Sequence, residues 1–221
     1  MSKLAVVTGG TKGIGRAIID KFASAGFDIA TCSRNSGDLE SLSKMLTSTY
    51  PIGVESMAAD LSNRTQAKAF TDFVSGLNRP VDVLVNNAGY FAPGLVTEEP
   101  EGSLELMVGS NLYSAYYTTR GLVGGMKKRR SGHIFNMCSI ASIEAYPNGG
   151  SYAISKFALR GFSKVLREEL KEFGVRVTSV LPGPTRTSSW DAVKLPEERF
   201  MKPEDVEMPF SELSPCPREV W

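Results

Sequence analysis

The chain has 221 residues, enough to bury the core of one α/β domain, and its 42% hydrophobic and 22% charged residues are ordinary for a soluble globular protein. Lys+Arg at 25 against Asp+Glu at 24 leaves a net charge of +1, which gives no support to bulk binding of nucleic acid or a membrane surface. A single histidine, His133, excludes a zinc site built on two or three histidines, and the dispersed Cys32, Cys138 and Cys216 form no CxxC, which excludes zinc ribbons and fits a reduced intracellular chain.

Met1-Ser2-Lys3-Leu4 leads straight into a strand-like run, with no secretion signal and no bilayer-length apolar stretch anywhere, so a cytoplasmic location is expected. The apolar run Leu4 to Thr8 is followed by Gly9, Gly10, Gly13 and Gly15 and then by helical spacing through Ile18, Ile19, Phe22 and Ala23, ended by Gly26. Phe27 to Cys32 reads as a second strand, Leu39 to Leu46 as a helix, Val54 to Ala58 as a third strand, and Ala67 to Val74 as a helix. Val81 to Val85 is a fourth apolar run, ended by Asn86-Asn87-Ala88-Gly89. The alternation continues with a long helix over Leu112 to Met126, a strand over His133 to Met137, a long helix over Tyr152 to Phe173 and a strand over Val175 to Leu181. In that last helix the apolar positions are 154, 157, 158, 162, 165, 166 and 170. Six strands alternating with helices predict an α/β, single-domain, doubly wound parallel sheet in the order 3-2-1-4-5-6. From Pro182 onward prolines recur and the pattern degrades. We therefore divide the domain into a nucleotide-binding and catalytic part, residues 1–190, and a loop and divergent tail, residues 191–221.

The strand, glycine loop and helix of Thr8 to Gly15 suit a pyrophosphate, because glycines allow close backbone approach and the helix N-terminus supplies N–H donors and partial positive charge. The spacing of Gly9, Gly13 and Gly15 is not GxGxxG, so a plain strand-to-helix turn is the competing reading. At the end of the second strand an NAD enzyme would place an acid on the ribose; here stand Ser33, Arg34 and Asn35. Arg34 would meet a 2′-phosphate, and Lys12 could add a second positive charge, so NADP(H) is expected over NAD(H). Tyr152 and Lys156 share one helix face at i, i+4, where the ammonium would favour phenolate and lower the tyrosine pKa. Ser139 ends the fifth strand and can hydrogen-bond a carbonyl; Ser142 is the competing serine.

These residues, taken together in order, resemble the short-chain dehydrogenase/reductase family in its compact Rossmann form. The resemblance rests on Thr8-Gly9-(x)3-Gly13-Ile14-Gly15, Asp60-Leu61, Asn86-Asn87-Ala88-Gly89, Asn111, Ser139, Tyr152-(x)3-Lys156 and Pro182-Gly183, and covers roughly residues 3 to 190. It implies Tyr152 as general acid, Lys156 as the residue that lowers the tyrosine pKa and holds the nicotinamide ribose, Ser139 as the carbonyl-orienting hydroxyl, and Asn111 as the holder of a relay water. It also implies cofactor contacts from Gly9, Thr11, Lys12, Gly13, Ile14, Gly15, Ser33, Arg34, Asn35, Asp60, Leu61, Asn87, Ala88, Gly89, Pro182, Gly183 and Thr187, with no metal. For Asp60, capping of the third helix is a compatible alternative.

The activity implied is hydride transfer from NADPH to a ketone or aldehyde; the alternatives are a non-catalytic NADP(H)-binding regulator and an NAD-dependent alcohol dehydrogenase. Cys138 and His133 read as structural. Tyr90, Phe91, Tyr146 and Trp190 flank the expected site and suit an apolar or aromatic-tolerant substrate pocket. Thr187-Ser188-Ser189-Trp190 resembles sepiapterin-reductase-like and carbonyl-reductase-like members. The basic run Lys127-Lys128-Arg129-Arg130 reads either as favourable charge at a helix C-terminus or as a dock for an acidic carrier protein of the kind used by 3-oxoacyl reductases. Met201 to Val206 resembles the entry to the family's last helix, but the proline-rich stretch after it lacks both that helix and a seventh strand. A homodimer through residues 112–129 and 151–173 is expected, and a tetramer is not.

Overall fold

The computed structural model describes residues 2–187 and 196–210. Strand β1 (Leu4–Thr8) is buried throughout and alternates its side chains between two cores: Leu4 and Val6 face one, Ala5 and Val7 the other. Around it run α1 (Gly13–Ser24), β2 (Asp28–Ser33), α2 (Ser36–Thr49), β3 (Val54–Ala58), α3 (Arg64–Gly76), β4 (Val83–Asn86), α4 (Ser103–Val108), α5 (Ser114–Arg129), β5 (His133–Met137), α6 (Gly150–Leu170) and β6 (Arg176–Val180). The strands pair in parallel in the order β3-β2-β1-β4-β5-β6, as expected. The order reverses direction between β1 and β4, so the loops leaving the C-terminal ends of these two strands part and open a crevice.

Helices α3, α5 and α6 cover one face through Phe70, Val74, Leu122, Met126, Leu166 and Leu170. Helices α1 and α2 cover the other through Ile18, Ile19, Phe22, Leu42 and Leu46. Val206, which is 2% exposed, joins this second core from a 3-10 helix over Pro203–Phe210 that packs on α1. Met201 runs parallel to Thr185 in a single β-bridge just before it. Thus, where the family resemblance leads to expect entry to a last α-helix, a 3-10 helix with one deeply buried valine stands. Among the described residues the sheet has six strands; the tail beyond 210, with Cys216, lies outside them.

Two helices differ from expectation. The helix expected to begin at Leu112 is the end of a longer run, in which α4 passes through a π-helical turn (Gly109–Tyr113) into α5. The wider turn carries one extra residue and places Asn111 inward, 1% exposed. In α6 the apolar positions do not share one face. Leu166 and Leu170 point inward, whereas Ile154, Phe157 and Val165 are exposed. The sheet side is taken by Ala153, Ser155, Lys156, Leu159 and Ser163. Ser163 accepts a hydrogen bond from Asn136 Nδ2 at 2.8 Å, which satisfies a polar strand residue that no solvent reaches.

Candidate active site

The crevice is built first by β1 and the turn after it. Gly9 and Gly13 adopt positive φ of 66° and 55°, and a Cβ on Gly15 would stand 2.3 Å from the Gly9 carbonyl. No side chain caps α1, so its first-turn N–H groups face the open cavity. Thr8 Oγ1 accepts from the N–H groups of Asn87 and Ala88 at 3.0 and 2.9 Å, and Asn87 Nδ2 donates to the carbonyls of Thr8 and Gly9. These bonds fix the loop after β4 against the glycine turn. A bare backbone cradle at an uncapped helix N-terminus, with no room for side chains, fits a dinucleotide pyrophosphate.

One cavity of about 970 Å³ runs from this cradle to the end of β5. It brings together Gly9, Lys12, Gly13, Ile14, Gly15, Asn87, Ala88, Gly89, Asn111, Ser139, Tyr152, Lys156, Pro182, Gly183 and Thr187. Thr11, Ser33, Arg34, Asn35, Asp60 and Leu61 do not line it. Arg34 is exposed at the end of β2, while Asn35 Oδ1 accepts from Asp38 N–H at 3.1 Å and so caps α2. Lys12, expected as a second free cation, is paired with Asp38 at 2.8 Å. Asp60 accepts from the N–H and hydroxyl of Ser62, and the cap of α3 is Asn63, so the capping alternative for Asp60 does not hold. The side chain of Leu61 is buried in the core, which leaves only its backbone for a ligand.

At the other end of the cavity Ser139 is extended and its Oγ accepts from Ala141 N–H at 3.1 Å. The same hydroxyl lies on the cavity with Tyr152, the third residue of α6, and offsets part of the effect of burial on its phenol. Ser142, the competing serine, is buried and donates back to the Ser139 carbonyl, so it buttresses Ser139 and does not line the cavity. Lys156 Nζ donates to the Met137 carbonyl at 2.8 Å and stands 5.6 Å from the centre of the Tyr152 ring.

The electrostatics correct one expectation. Burial pushes the Tyr152 phenol up to about 12, against the lowering effect of Ser139, and it pushes Lys156 down to about 8. Lys156 is aimed at a backbone carbonyl, and burial outweighs its pull on the tyrosine, so the net shift is upward. Asn111, implied to hold a relay water, has these side-chain partners: Oδ1 accepts from Tyr90 N–H at 2.7 Å, and Nδ2 donates to the Tyr90 carbonyl and the Ser155 hydroxyl.

Cys138 is packed with Ala115 and Leu159, and burial raises its thiol pKa, as suits a structural residue. His133 lies at the start of β5, the end away from Ser139, stacked on Phe135 and bonded through Nε2 to Thr178 Oγ1. The basic run closes α5 just before the start of β5, at that same far end of the strand. Lys127 sits 4.0 Å over the Phe173 ring, Arg129 donates to the Val81 carbonyl, and Arg130 donates to the Glu172 carbonyl. The acidic-carrier reading, which needs these charges beside the active site, is therefore not supported by their position. Among the described residues no cluster of three His, Cys, Asp or Glu could hold a metal, and no helix is long and apolar enough to cross a membrane.

A family model described as short chain dehydrogenase matches residues 3–198. The chain belongs to the short-chain dehydrogenase family. As a member it is an NAD(P)-dependent oxidoreductase. It is 31% identical over 217 residues to the sepiapterin reductase of Chlorobaculum tepidum, across 95% of this chain and 88% of that protein. Among solved structures it is similar to an alcohol dehydrogenase of the archaeon Thermococcus sibiricus complexed with 5-hydroxy-NADP, at 26% identity and TM-score 0.91, over 100% of this chain and 93% of that one. The L-sorbose reductase of Gluconobacter frateurii, complexed with NADPH and L-sorbose, gives 28% identity and TM-score 0.87, over 95% of this chain and 88% of that one.

In this short-chain dehydrogenase the aromatic residues Tyr90, Phe91 and Tyr146 line the cavity, as expected, while Trp190 lies outside the described residues. Phe91 meets the Tyr152 ring edge-on, with centroids 4.8 Å apart. Sequence reasoning passed over Thr8 as a hydroxyl acceptor, the Met137 carbonyl, Ser155, Glu99, and the cavity-lining Glu144, Asn148 and Arg199. The serine in Tyr152-(x)3-Lys156, next to the lysine, was a readable signal for Ser155. Met137 acts through its backbone, Thr8 through a hydroxyl at the end of a strand, and the rest from short segments without readable periodicity.

Proposed function

We propose that this short-chain dehydrogenase reduces a ketone or aldehyde with NADPH. The observation that carries the reading is that Ser139, Tyr152 and Lys156 line the same cavity as the uncapped glycine cradle, with the Lys156 ammonium 5.6 Å from the tyrosine ring. When bound, the cofactor supplies a hydride to the carbonyl carbon. Ser139 donates to the carbonyl oxygen and orients it, and Tyr152 gives that oxygen its phenolic proton. Burial suits this role, because a phenol held near 12 stays protonated at neutral pH. The nearby ammonium of Lys156 then stabilises the phenolate that forms. Asn111 serves as a positioning residue, since its side chain ties Tyr90 to Ser155 beside Lys156. Exposed Arg34 favours the 2′-phosphate of NADP(H), and the NADP and NADPH complexes among similar structures support the same preference. Tyr90, Phe91 and Tyr146 suit an apolar or aromatic carbonyl compound. We read the exposed apolar face of α5 and α6 as the homodimer interface. The test is cofactor consumption across a panel of ketones and aldehydes. Turnover with NADPH exceeding that with NADH supports the reading, and cofactor binding without turnover on any carbonyl contradicts it.

A further inference from the structure

We propose that Glu99 is a positioning residue for Tyr152, anchoring the loop over the cavity to the first turn of the catalytic helix; this rests on the carbonyl-reductase reading for its kinetic consequence. The segment between β4 and α4 touches the start of α6 in successive places. Phe91 packs edge-on against the Tyr152 ring, and the Gly94 N–H donates to the Asn148 carbonyl at 3.1 Å. Glu99 closes the series. Its carboxylate accepts from the Ser151 N–H at 2.9 and 3.2 Å and also from the Ser151 hydroxyl. Ser151 is 3% exposed and directly precedes Tyr152.

The surroundings are shaped to this carboxylate. A Cβ on Gly150, whose φ is +40°, would stand 2.1 Å from Glu99 Oε1, and a Cβ on Gly94 would stand 2.6 Å from Glu99 Cγ. Only glycines on both sides admit the side chain. Helix α6 has no cap of its own, because Gly149 offers no side chain, so Glu99 supplies from outside the acceptor that an ordinary N-cap residue would supply locally. The phenol must meet both Ser139 and the carbonyl oxygen, and a misplacement of about 1 Å lowers rates by about 10²-fold. Fixing the first turn of α6 to the loop that carries Phe91 holds the tyrosine ring from both sides.

The test compares Glu99→Ala, Glu99→Gln and Glu99→Asp for kcat with NADPH and a carbonyl turned over by the wild-type enzyme, for NADPH affinity by fluorescence, and for amide exchange at Ser151. Positioning by reach predicts a kcat lowered at least about 10-fold in Glu99→Ala, with NADPH affinity within about twofold. It further predicts that Glu99→Gln, which keeps the reach, exceeds Glu99→Asp, which keeps only the charge. A role as mere negative charge at a helix N-terminus reverses that order and overturns the proposal. An unchanged kcat in Glu99→Ala, or equal losses of kcat and NADPH affinity, also overturns it. If Glu99→Ala does not fold, the Gln-to-Asp order decides alone. Slow exchange of the Ser151 amide in the wild type and faster exchange in Glu99→Asp is expected, and equal exchange in the two contradicts the anchor. An enzyme that consumes no NADPH with any carbonyl overturns the carbonyl-reductase reading and the kinetic role of Glu99 together, while the exchange comparison still decides the anchor.

Discussion

Tyr152 and Lys156 sit one helical turn apart and are shifted by the same cause, burial, in opposite directions on the pH scale. Lys156 falls from 10.5 to about 8, so its cation is lost as pH rises through about 8. Since that cation stabilises the phenolate, the reduction rate should decline above about pH 8, as a profile of kcat/KM against pH would show. Unfolding does not account for such a decline. Between about 8 and 10.5 the unfolded chain binds the extra proton, so this lysine makes the fold more stable as pH rises. The tyrosine acts the other way, and only between 10 and about 12, where the unfolded chain loses its proton first. Arg34 governs cofactor choice in the same residue-by-residue manner. Arg34→Asp should weaken NADPH binding by about 10-fold or more and leave NADH within a few-fold, read in paired titrations. The helix spacing made Tyr152 and Lys156 legible in the sequence. The direction of the tyrosine shift was not, because it depends on how deeply the rest of the chain buries the phenol and on the Met137 carbonyl taking the ammonium.

At the scale of elements, periodicity located the strands closely: Val54–Ala58 and His133–Met137 fall where the apolar runs placed them. It was less informative for helices that are short or two-faced. Six-residue α4 offers too little period to read, and the π-helical turn after it shifts the register by one residue. In α6 small polar residues take the buried face, so hydrophobicity alone pointed to the wrong side. The 3-10 helix over Pro203–Phe210 is the clearest case of an element whose packing exceeds its sequence signal. Prolines broke the periodicity, and only the family resemblance marked a helix entry at Met201 to Val206, yet Val206 is buried in the same core as Phe22 and Ile18. Val206→Ala should destabilise the fold by about 2 kcal/mol, measured as a lower denaturant midpoint with unchanged slope.

For the whole molecule, the parallel sheet and its order followed from six alternating strands, and the cofactor cradle lies where that order reverses. What the sheet leaves uncovered bears on assembly. Tyr113 at the end of the π-helical turn, Tyr116 on α5, and Ile154, Phe157 and Val165 on α6 are exposed apolar positions suited to a second copy of the chain. Light scattering at micromolar concentration should give twice the chain mass, and Phe157→Glu should give the single chain mass.

The central claim is that Tyr152 protonates a carbonyl oxygen during reduction by NADPH. The most direct measurement compares NADPH consumption by the wild type and by Tyr152→Phe on the same carbonyl substrate, with NADPH affinity measured alongside. The account predicts a loss of about 10²- to 10⁴-fold in kcat with affinity within about twofold. A phenylalanine variant that turns over at the wild-type rate would contradict it.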